Sequence, residues 1–294
     1  MVEHRVKGTE PKLWASILIY FTVIALALLC ILPLWHILVI SFNAKYSADL
    51  VFLWPKDWSF ESYAIMLTRN ELFDSLWVSV KRVVLGVSLN TVLTVLMGYP
   101  LSRDGGEYKT RKVYVAILIF CMLFNGGMVP TVILVSVWLN LNNTIWALVL
   151  PGAVPIFNVI LVMNFMRQMP KEIEEAAWMD GANSLKTLIY IVIPLSIPVI
   201  ATVMMFSFVS QWNEWFSGLL YMTDVAKYPF QTYIQSTITA PDISNMIDLQ
   251  NYANVSDKTI KAAQTIVGMI PLIIVYPFVQ KYFAAGITLG AVKG

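Results

Sequence analysis

A short charged segment interrupts an otherwise apolar chain. It reads EEAAWMDGANSLKTLIYIVIP at residues 174–194, and long apolar runs lie on both sides of it. Together with the residues just before it, the segment carries four carboxylates and two lysines: Glu172, Glu174, Glu175, Asp180, Lys171 and Lys186. Carboxylates on a helix surface form charge-assisted hydrogen bonds with arginine or lysine of another chain. The chemistry that these residues favour is therefore recognition of a basic protein surface.

No catalytic or metal-binding pattern accompanies these carboxylates in the sequence. The chain has no GxSxG, no HExxH and no acid pair within an apolar run, and it lacks the GxxxxGK[ST] phosphate loop. Cys30 and Cys121 lie far apart in apolar runs, which favours two buried thiols, and His4 and His36 lack neighbours that could share a metal. We therefore predict that this chain is not an enzyme, has no catalytic residue and holds no metal or cofactor of its own.

Helix signals divide the charged segment into two parts. Pro170 suits a first helical turn, and the glutamates that follow it complement the helix dipole. Gly181 can adopt the left-handed conformation that ends a helix, and Asn183 or Ser184 can cap the next helix. Small side chains keep the surface smooth: Ala176, Ala177 and Ala182. We predict a compact elbow of two helices, named here the elbow segment (residues 167–188), with an ordinary solvated loop as the alternative.

The composition places these elements in a membrane. Of the 294 residues, 58% are hydrophobic and 13% are charged, whereas soluble domains carry about 25% charged residues. The net charge of +2 is too small to indicate nucleic acid as a partner. Six apolar runs reach the length of about 20 residues that a bilayer requires, so we predict an all-α membrane protein with six transmembrane helices. The runs are residues 13–40, 76–100, 113–136, 145–166, 188–210 and 263–284.

The distribution of basic residues predicts the orientation in the membrane. With a cytoplasmic N-terminus, 12 of the 20 lysines and arginines lie on the cytoplasmic side, as the positive-inside rule expects. Both termini are then cytoplasmic, and the segments 41–75 and 211–262 are external. The first apolar run is too long for a signal peptide, so we expect it to be retained. We predict one transmembrane domain over residues 1–294, with a cytoplasmic coupling loop at 167–188 and an external region at 211–262.

Helix interrupters and polar side chains within the spans favour a transport path. NGGMVP (125–130) and PGAVP (151–155) break apolar runs, and the freed backbone groups must be satisfied by neighbours or by a watery cavity. Spans three to six carry no Asp, Glu, Lys or Arg in their interiors, which argues against an ion-coupled carrier and for a separate ATPase. Small polar and amide residues either line the path or pack the helices together. They are Ser88, Asn90, Thr91, Asn158 and Asn164.

The elbow segment resembles the EAA loop of ABC importer permeases. That loop is usually written EAA-x3-G-x9-I-x-L-P, and residues 175–194 match it except at Ile193, which replaces leucine. Other stretches resemble the carbohydrate-uptake, maltose-type branch: FLWPKDWSFESY (52–63), GYPLSR (98–103), QWNEWFSGLLYM (211–222) and GITLGAVKG (286–294). The sequence looks most like the subfamily that imports complex oligosaccharides, which includes polygalacturonate-, rhamnogalacturonan- and alginate-type systems.

The resemblance implies a fold, a function and a set of partners. The fold is that of a type I ABC importer permease, which pairs with a homologous second permease as a heterodimer. Two ATPase subunits would bind ATP and Mg and dock on the elbow segment, and an external solute-binding protein would deliver the substrate. That substrate is an oligosaccharide, with an acidic alginate- or pectin-derived chain among the candidates. The complex would lie in the bacterial cytoplasmic (inner) membrane. The alternatives are a permease for a non-sugar solute and a passive channel subunit.

The resemblance also implies two groups of contact residues. The elbow segment would meet the ATPase through Glu175, Ala176, Ala177, Asp180, Gly181 and Ala182. The external region would meet the binding protein or the sugar through Trp212, Asn213, Trp215 and Tyr233, and part of it would enter the sugar cleft of the binding protein. Aromatic rings at this level also anchor helices at the membrane interface, which is the alternative for the two tryptophans.

Two cations lie inside the second apolar run, in SVKRVV at residues 79–84. If the span begins at Val83, Lys81 and Arg82 can both extend to the outer headgroups as lipid anchors. Alternatively, one of them faces the translocation cavity and contacts an acidic sugar, because a guanidinium fork suits a carboxylate. Successive residues on a helix point about 100° apart, so both cannot face the cavity equally.

Overall fold

The computed structural model describes residues 13–44, 53–103, 109–239 and 256–291. Within these ranges every regular element is a helix, and the extended backbone is limited to one isolated bridge between Asn43 and Trp58. The predicted all-α fold is confirmed. The chain forms two compact units, one of Met1–Thr68 with Asp242–Val267 and one of Arg69–Pro241 with Gly268–Gly294. The prediction of a single transmembrane domain stays a prediction.

The first unit contains α1 (Leu13–Ser41), α2 (Glu61–Leu67) and the beginning of α14 (Asp257–Ala291). Hydrogen bonds join these helices: the Ser41 hydroxyl at the end of α1 lies 2.7 Å from the Tyr63 hydroxyl of α2, and Ser62 of α2 donates to Thr259 of α14 over 3.1 Å. The most apolar stretch of α1 has no buried residue. Its surface therefore requires lipid or another chain as a cover.

The second unit contains the remaining helices. They are α3 (Asn70–Ser102), α4 (Arg111–Leu123), α5 (Met128–Ile133) with a π-helical turn (Leu134–Trp138), α6 (Ile145–Val149) with a 3₁₀ turn (Leu150–Gly152), α7 (Ile156–Arg167), α8 (Lys171–Met179), α9 (Ser184–Thr187) with a π-helical turn (Leu188–Val192), α10 (Ile193–Leu195), α11 (Ile197–Asn213), α12 (Phe216–Tyr221), a 3₁₀ turn (Val225–Lys227), α13 (Phe230–Thr239) and α14 beyond Gly268.

Six membrane spans follow from these helices. Three helices are long and apolar enough to cross alone: α1, α3 and the Lys258–Pro277 part of α14. Three more spans are helix pairs bent at a short break, by 107° between α4 and α5, 48° between α6 and α7, and 81° between α10 and α11. The bends lie at the predicted interrupters NGGMVP and PGAVP and between Pro194 and Pro198. The six-span prediction is confirmed.

Helix α3 forms the centre of the second unit. It packs most extensively against α7 and α11, and its side chains Val95 and Tyr99 join a buried cluster with Val162, Val192 and Val203. Small residues on α3 permit this close approach, since a Cβ at Gly98 would come within 3.0 Å of the Val162 side chain. The helices that line the cavity described below are therefore packed on one continuous element.

The two cysteines differ from the prediction. Cys30 on α1 and Cys121 on α4 are free and exposed, not buried. Both lie on apolar outer faces of spans, where lipid is as apolar as a protein core. Hydrophobic context in a membrane protein therefore does not distinguish a buried thiol from one that faces lipid.

One close helix contact gives a test of this packing. A methyl group at Gly218 would come within 2.1 Å of the Thr232 hydroxyl, which donates to the Trp215 carbonyl over 2.7 Å. We expect Gly218→Ala to lower the free energy of unfolding by about 1–3 kcal/mol through overpacking. Gly126→Ala is the matched control, because nothing lies within 4 Å of its Cβ position. Equal thermal midpoints for both variants in detergent would contradict the packing of α12 on α13.

Candidate functional site

The second unit contains a half-open cavity of about 470 Å³ with polar and charged side chains in its lining. It lies where α3, the α6–α7 break, α11 and the start of α12 meet. Its polar lining consists of Arg82, Asn90, Asn158, Ser207, Ser210, Gln211, Glu214 and Ser217. Amides and hydroxyls that surround one charged pair create a site that can exchange hydrogen bonds with a polar, hydroxyl-rich solute.

Arg82 is the buried centre of this lining, with 3% of its surface exposed. Its Nη2 lies 2.5 Å from Glu214 Oε2, Nη1 donates to the Glu214 carbonyl over 2.8 Å, and Nε donates to Gln211 Oε1 over 3.1 Å. Nη2 also makes a long contact of 3.5 Å with the Leu148 carbonyl of α6. The guanidinium thus joins α3, α6 and the end of α11. The lipid-anchor interpretation is wrong for Arg82, because a side chain held this way does not reach the headgroups.

Glu214 follows the last residue of α11 and is held ionised. Burial raises the pKa of its carboxyl, but the charge of Arg82 and the hydrogen bonds from Ser217 and Arg82 together lower that pKa below its ordinary value. Ser217 donates to Glu214 through its backbone N–H over 2.9 Å and also through its hydroxyl. The pair therefore carries no net charge, and the cavity contains a cation that its own carboxylate neutralises.

Lys81 lies on a different face of α3 from Arg82. Its side chain is exposed, and Nζ lies 5.2 Å from the centre of the Trp77 ring. It is not among the residues that line the cavity. Of the two cations in SVKRVV, only Arg82 faces the cavity, as the angular separation of neighbouring helical residues requires.

Two of the predicted polar residues line the cavity and also join the helices around it. With its amide oriented to donate, Asn90 reaches the carbonyls of Gly152 and Ala153 at 3.1 Å each. Asn158 donates to the Ser207 hydroxyl over 3.2 Å and thereby joins α7 to α11. Both interpretations therefore hold for these two residues, whereas Ser88, Thr91 and Asn164 are not among the lining residues of this cavity.

The four candidate contacts of the external region fall into two pairs. Trp212 is buried, donates from Nε1 to the Gly268 carbonyl over 2.9 Å and lies beside Phe230, and Tyr233 is also buried. Burial makes Trp212 and Tyr233 packing residues in this conformation. Asn213 and Trp215 are exposed and can meet another molecule. Residues 240–255, which include most of the predicted cleft-entering part, lie outside the described residues.

The elbow segment has the local structure that the sequence predicts. Helix α8 begins after Pro170 and ends near Gly181, which adopts φ +81°, and the Ala182 N–H donates to the Ala177 carbonyl over 2.9 Å. Asn183, rather than Ser184, caps α9, because its side chain accepts from the Lys186 N–H over 2.9 Å. The two helices are therefore set at an angle by one left-handed residue.

The outer surface of the elbow segment exposes carboxylates together with apolar side chains, of which Met179 is the most exposed. Glu175, Ala176, Asp180 and Gly181 are exposed, and Met179 is 89% exposed. Ala182 is half-buried, and Ala177 is buried at 5% exposure. Ala177 therefore packs α8 onto the protein, whereas the other predicted contact residues remain available to a partner.

Sequence reasoning missed the functional position of Glu214 and Gln211. Both stand in the quoted stretch QWNEWFSGLLYM, but neither was connected with Arg82, which lies 132 residues before Glu214. A usable signal was present, since an arginine inside an apolar helix requires a polar or acidic partner. Within the described ranges no group of three or more His, Cys, Asp or Glu side chains converges on a metal site.

A bundle of continuous and broken spans around a polar cavity, with an exposed elbow between two spans, defines a membrane permease subunit. The chain belongs to the family described as "Binding-protein-dependent transport system inner membrane component", which matches residues 86–289. The predicted type I permease fold and the resemblance to ABC importer permeases are confirmed.

Individual relatives cover almost the whole chain. It is 36% identical over 283 residues to the polygalacturonan/rhamnogalacturonan transport system permease protein YtcP of Bacillus subtilis (strain 168), covering 95% of this chain and 98% of that protein. It is 37% identical over 268 residues to Protein LplC of the same organism, covering 90% of each chain. A crystal structure of a bacterial ABC transporter involved in the import of the acidic polysaccharide alginate contains a chain that is 30% identical, with a TM-score of 0.84 and coverage of 94% of this chain and 100% of that chain.

The bend of the elbow segment can be tested at Gly181. We expect Gly181→Val to destabilise the junction between α8 and α9 by roughly 1–3 kcal/mol, because a β-branched residue resists positive φ. Gly181→Asn is the matched control, since asparagine tolerates the left-handed region. Amide hydrogen exchange across residues 171–188 should accelerate strongly in the valine variant and little in the asparagine variant. Equal protection in both variants would contradict the role of the left-handed residue.

Proposed function

We propose that this chain forms half of the translocation path of an ATP-driven importer for oligosaccharides, and that its cavity is suited to sugars that carry carboxylates. The observation that carries the proposal is Arg82, a guanidinium buried in a cavity whose other polar groups are amides, hydroxyls and one carboxylate. The printed functions of two similar proteins, which concern polygalacturonan/rhamnogalacturonan and alginate, support the same substrate class.

The cavity offers a sugar the contacts that sugars use. Asn158, Ser207 and Ser210 present donors and acceptors, and Phe206 supplies an apolar wall. Hydroxyl groups of a saccharide exchange readily with such side chains, and the apolar face of a sugar ring packs against an aromatic ring. With Arg82 paired to Glu214, the cavity is polar without net charge, so a sugar chain meets no fixed charge that would hold it permanently.

A carboxylate on the sugar adds a specific interaction. It competes with Glu214 for the planar fork of Arg82, because both offer two oxygens in the same geometry. When the sugar takes the guanidinium, Glu214 keeps its two hydrogen bonds from Ser217. After the exchange the cavity contains two carboxylates and one guanidinium, so Glu214 keeps only its hydrogen bonds from Ser217 and competes to regain Arg82, which favours release of the acidic unit.

The elbow segment is the surface through which an ATPase drives this path. The acidic side chains Glu175 and Asp180 and the protruding Met179 suit a cleft with basic and apolar walls. Two ATPase subunits bind ATP and Mg, a homologous permease completes the path, and an external solute-binding protein delivers the sugar. In this arrangement the termini and the elbow segment are cytoplasmic, and the fully exposed apolar face of α1 meets lipid or the second permease.

Substrate charge tests the cavity proposal. We expect the double variant Arg82→Gln/Glu214→Gln to reduce ATP-driven uptake of an acidic oligosaccharide by about 10- to 100-fold more than uptake of a neutral one, because a charge-assisted bond is lost. The double change avoids a lone buried charge, which would destabilise the fold on its own. Lys81→Gln is the control, because this neighbouring cation lies outside the cavity lining. Equal reduction for both sugars would remove Arg82 from substrate recognition.

Glu175 tests the ATPase contact. Breaking an interfacial charge pair on one side costs roughly 2–5 kcal/mol, so we expect Glu175→Ala to weaken assembly with the ATPase or its stimulation by the loaded binding protein. Glu172→Ala is the matched control on the same helix, because Glu172 is equally exposed but precedes the EAA residues. Normal stimulated ATP hydrolysis in the Glu175 variant would contradict the contact.

A further inference from the structure

A second ion pair lies at the C-terminal end of α3, beyond the middle part of the helix that borders the cavity. Arg103, the residue after the last turn of α3, pairs through Nη1 with Glu174 of α8. Both side chains are largely buried, at 14% and 15% exposure. Arg167 and Lys171 border the same small cavity beside the pair, so other cations are close to Glu174. A carboxylate shielded from water at this point connects the elbow segment to a transmembrane helix.

Aromatic rings hold the Arg103 guanidinium in position. Its central carbon lies 4.6 Å from the centre of the Tyr99 ring and 4.9 Å from that of Trp178, and the guanidinium also donates to the Tyr99 hydroxyl. Tyr99 belongs to the buried cluster of the second unit, whereas Trp178 belongs to α8. Arg103 therefore lies between a ring of the core and a ring of the elbow segment, where a planar guanidinium can stack and donate at the same time, whereas an ammonium offers a point charge without the fork.

Most of the remaining surface of α8 is exposed. Glu172, Glu175, Met179 and Asp180 are all exposed, and Ala177 is its buried residue. A methyl group packs without direction, so it permits α8 to rotate or slide. Arg103 restricts both the orientation of α8 and its distance from the end of α3, because its ion pair and its two ring contacts must be kept together.

Helix α3 connects this junction with the cavity. Asn70–Ser102 is one continuous helix, with Pro100 in its last turn, in contrast to the three bent spans. Arg82 and Arg103 are about 30 Å apart along it at a rise of 1.5 Å per residue. A displacement applied at Arg103 therefore moves the helix that carries half of the Arg82–Glu214 pair. Coupling over such a distance requires a rigid element of this kind.

We propose that Arg103 is the positioning residue through which the elbow segment moves α3. Its pair with Glu174 and its stacking on Trp178 keep α8 and the end of α3 together when the elbow segment shifts. Without Arg103, the elbow segment moves while α3 and the cavity follow incompletely, so ATP is hydrolysed with less transport. The inference rests on the proposed function, in which the elbow segment docks on an ATPase.

The experiment is a coupling measurement on the complete importer in liposomes, with the second permease, the ATPase and the binding protein loaded with an oligosaccharide. ATP hydrolysed per sugar imported should rise by about 3- to 30-fold in Arg103→Gln and in Glu174→Gln, the range expected for residues that transmit coupling. The double variant should be no worse than either single variant, because both remove the same link. Arg103→Lys should be intermediate, since it keeps the charge but loses the fork and the stacking.

Glu172→Gln is the matched control, and its ratio should equal that of the wild type. If Arg103 and Glu174 have only a structural role, their variants should lower uptake and ATP hydrolysis together and leave the ratio of the two unchanged. That result would overturn the inference. Additive effects of the two single variants would overturn it as well. If the wild-type importer couples normally and Arg103→Gln has the same ratio of ATP hydrolysed to sugar imported, this inference alone is contradicted. If the wild type shows no ATP-driven uptake, the proposed function and the inference are both contradicted.

Discussion

A guanidinium buried in a membrane-spanning helix must be paired, and the second unit is organised around that requirement. Removing a charge from water costs several kcal/mol unless a partner and further hydrogen bonds replace the solvent. Arg82 obtains its partner from Glu214, which lies 132 residues later in the chain, with further bonds to Gln211 and to backbone carbonyls. The end of α11 and the broken span at α6 are thereby drawn to α3, and the polar cavity is the space that remains between them.

The same constraint separates the helices that bend from the helix that does not. The break between α6 and α7 frees backbone carbonyls, and Asn90 satisfies two of them at the border of the cavity, while α10 and α11 are bent by 81° at their own break. Helix α3 has no bend of this kind, and it carries a buried cation beside the cavity and Arg103 just after its C-terminal end. In the proposed mechanism the bent spans and the continuous helix therefore have different roles, because the continuous helix joins the elbow segment to the cavity.

Sequence patterns predicted the local features and missed the long-range pairs. The left-handed Gly181 and the cap at Asn183 depend on neighbouring residues, so their spacing was sufficient to predict an elbow. The partner of Arg82 could not be read from spacing, because any acid near a span end was a candidate until α11 was placed beside α3. Trp212 was equally ambiguous, since an aromatic residue near the interface suits an anchor, a contact or a packed core. Cys121 shows why burial could not be predicted from apolar neighbours: a residue that faces lipid and a residue in the protein interior are both surrounded by apolar sequence.

In the proposed function the chain forms half of an ATP-driven path for oligosaccharides that carry carboxylates. The most direct measurement compares uptake of a galacturonate oligosaccharide with uptake of its methyl ester, by the assembled wild-type importer in liposomes with the binding protein saturated by each sugar. The two substrates share size and hydroxyl pattern and differ in charge. We expect ATP-dependent accumulation of the acidic chain. The ester should be imported at about one tenth of that rate or lower, because the ester has no carboxylate to pair with Arg82. Failure of the acidic chain to accumulate above the ATP-free level, or equal uptake of the ester, would contradict the claim.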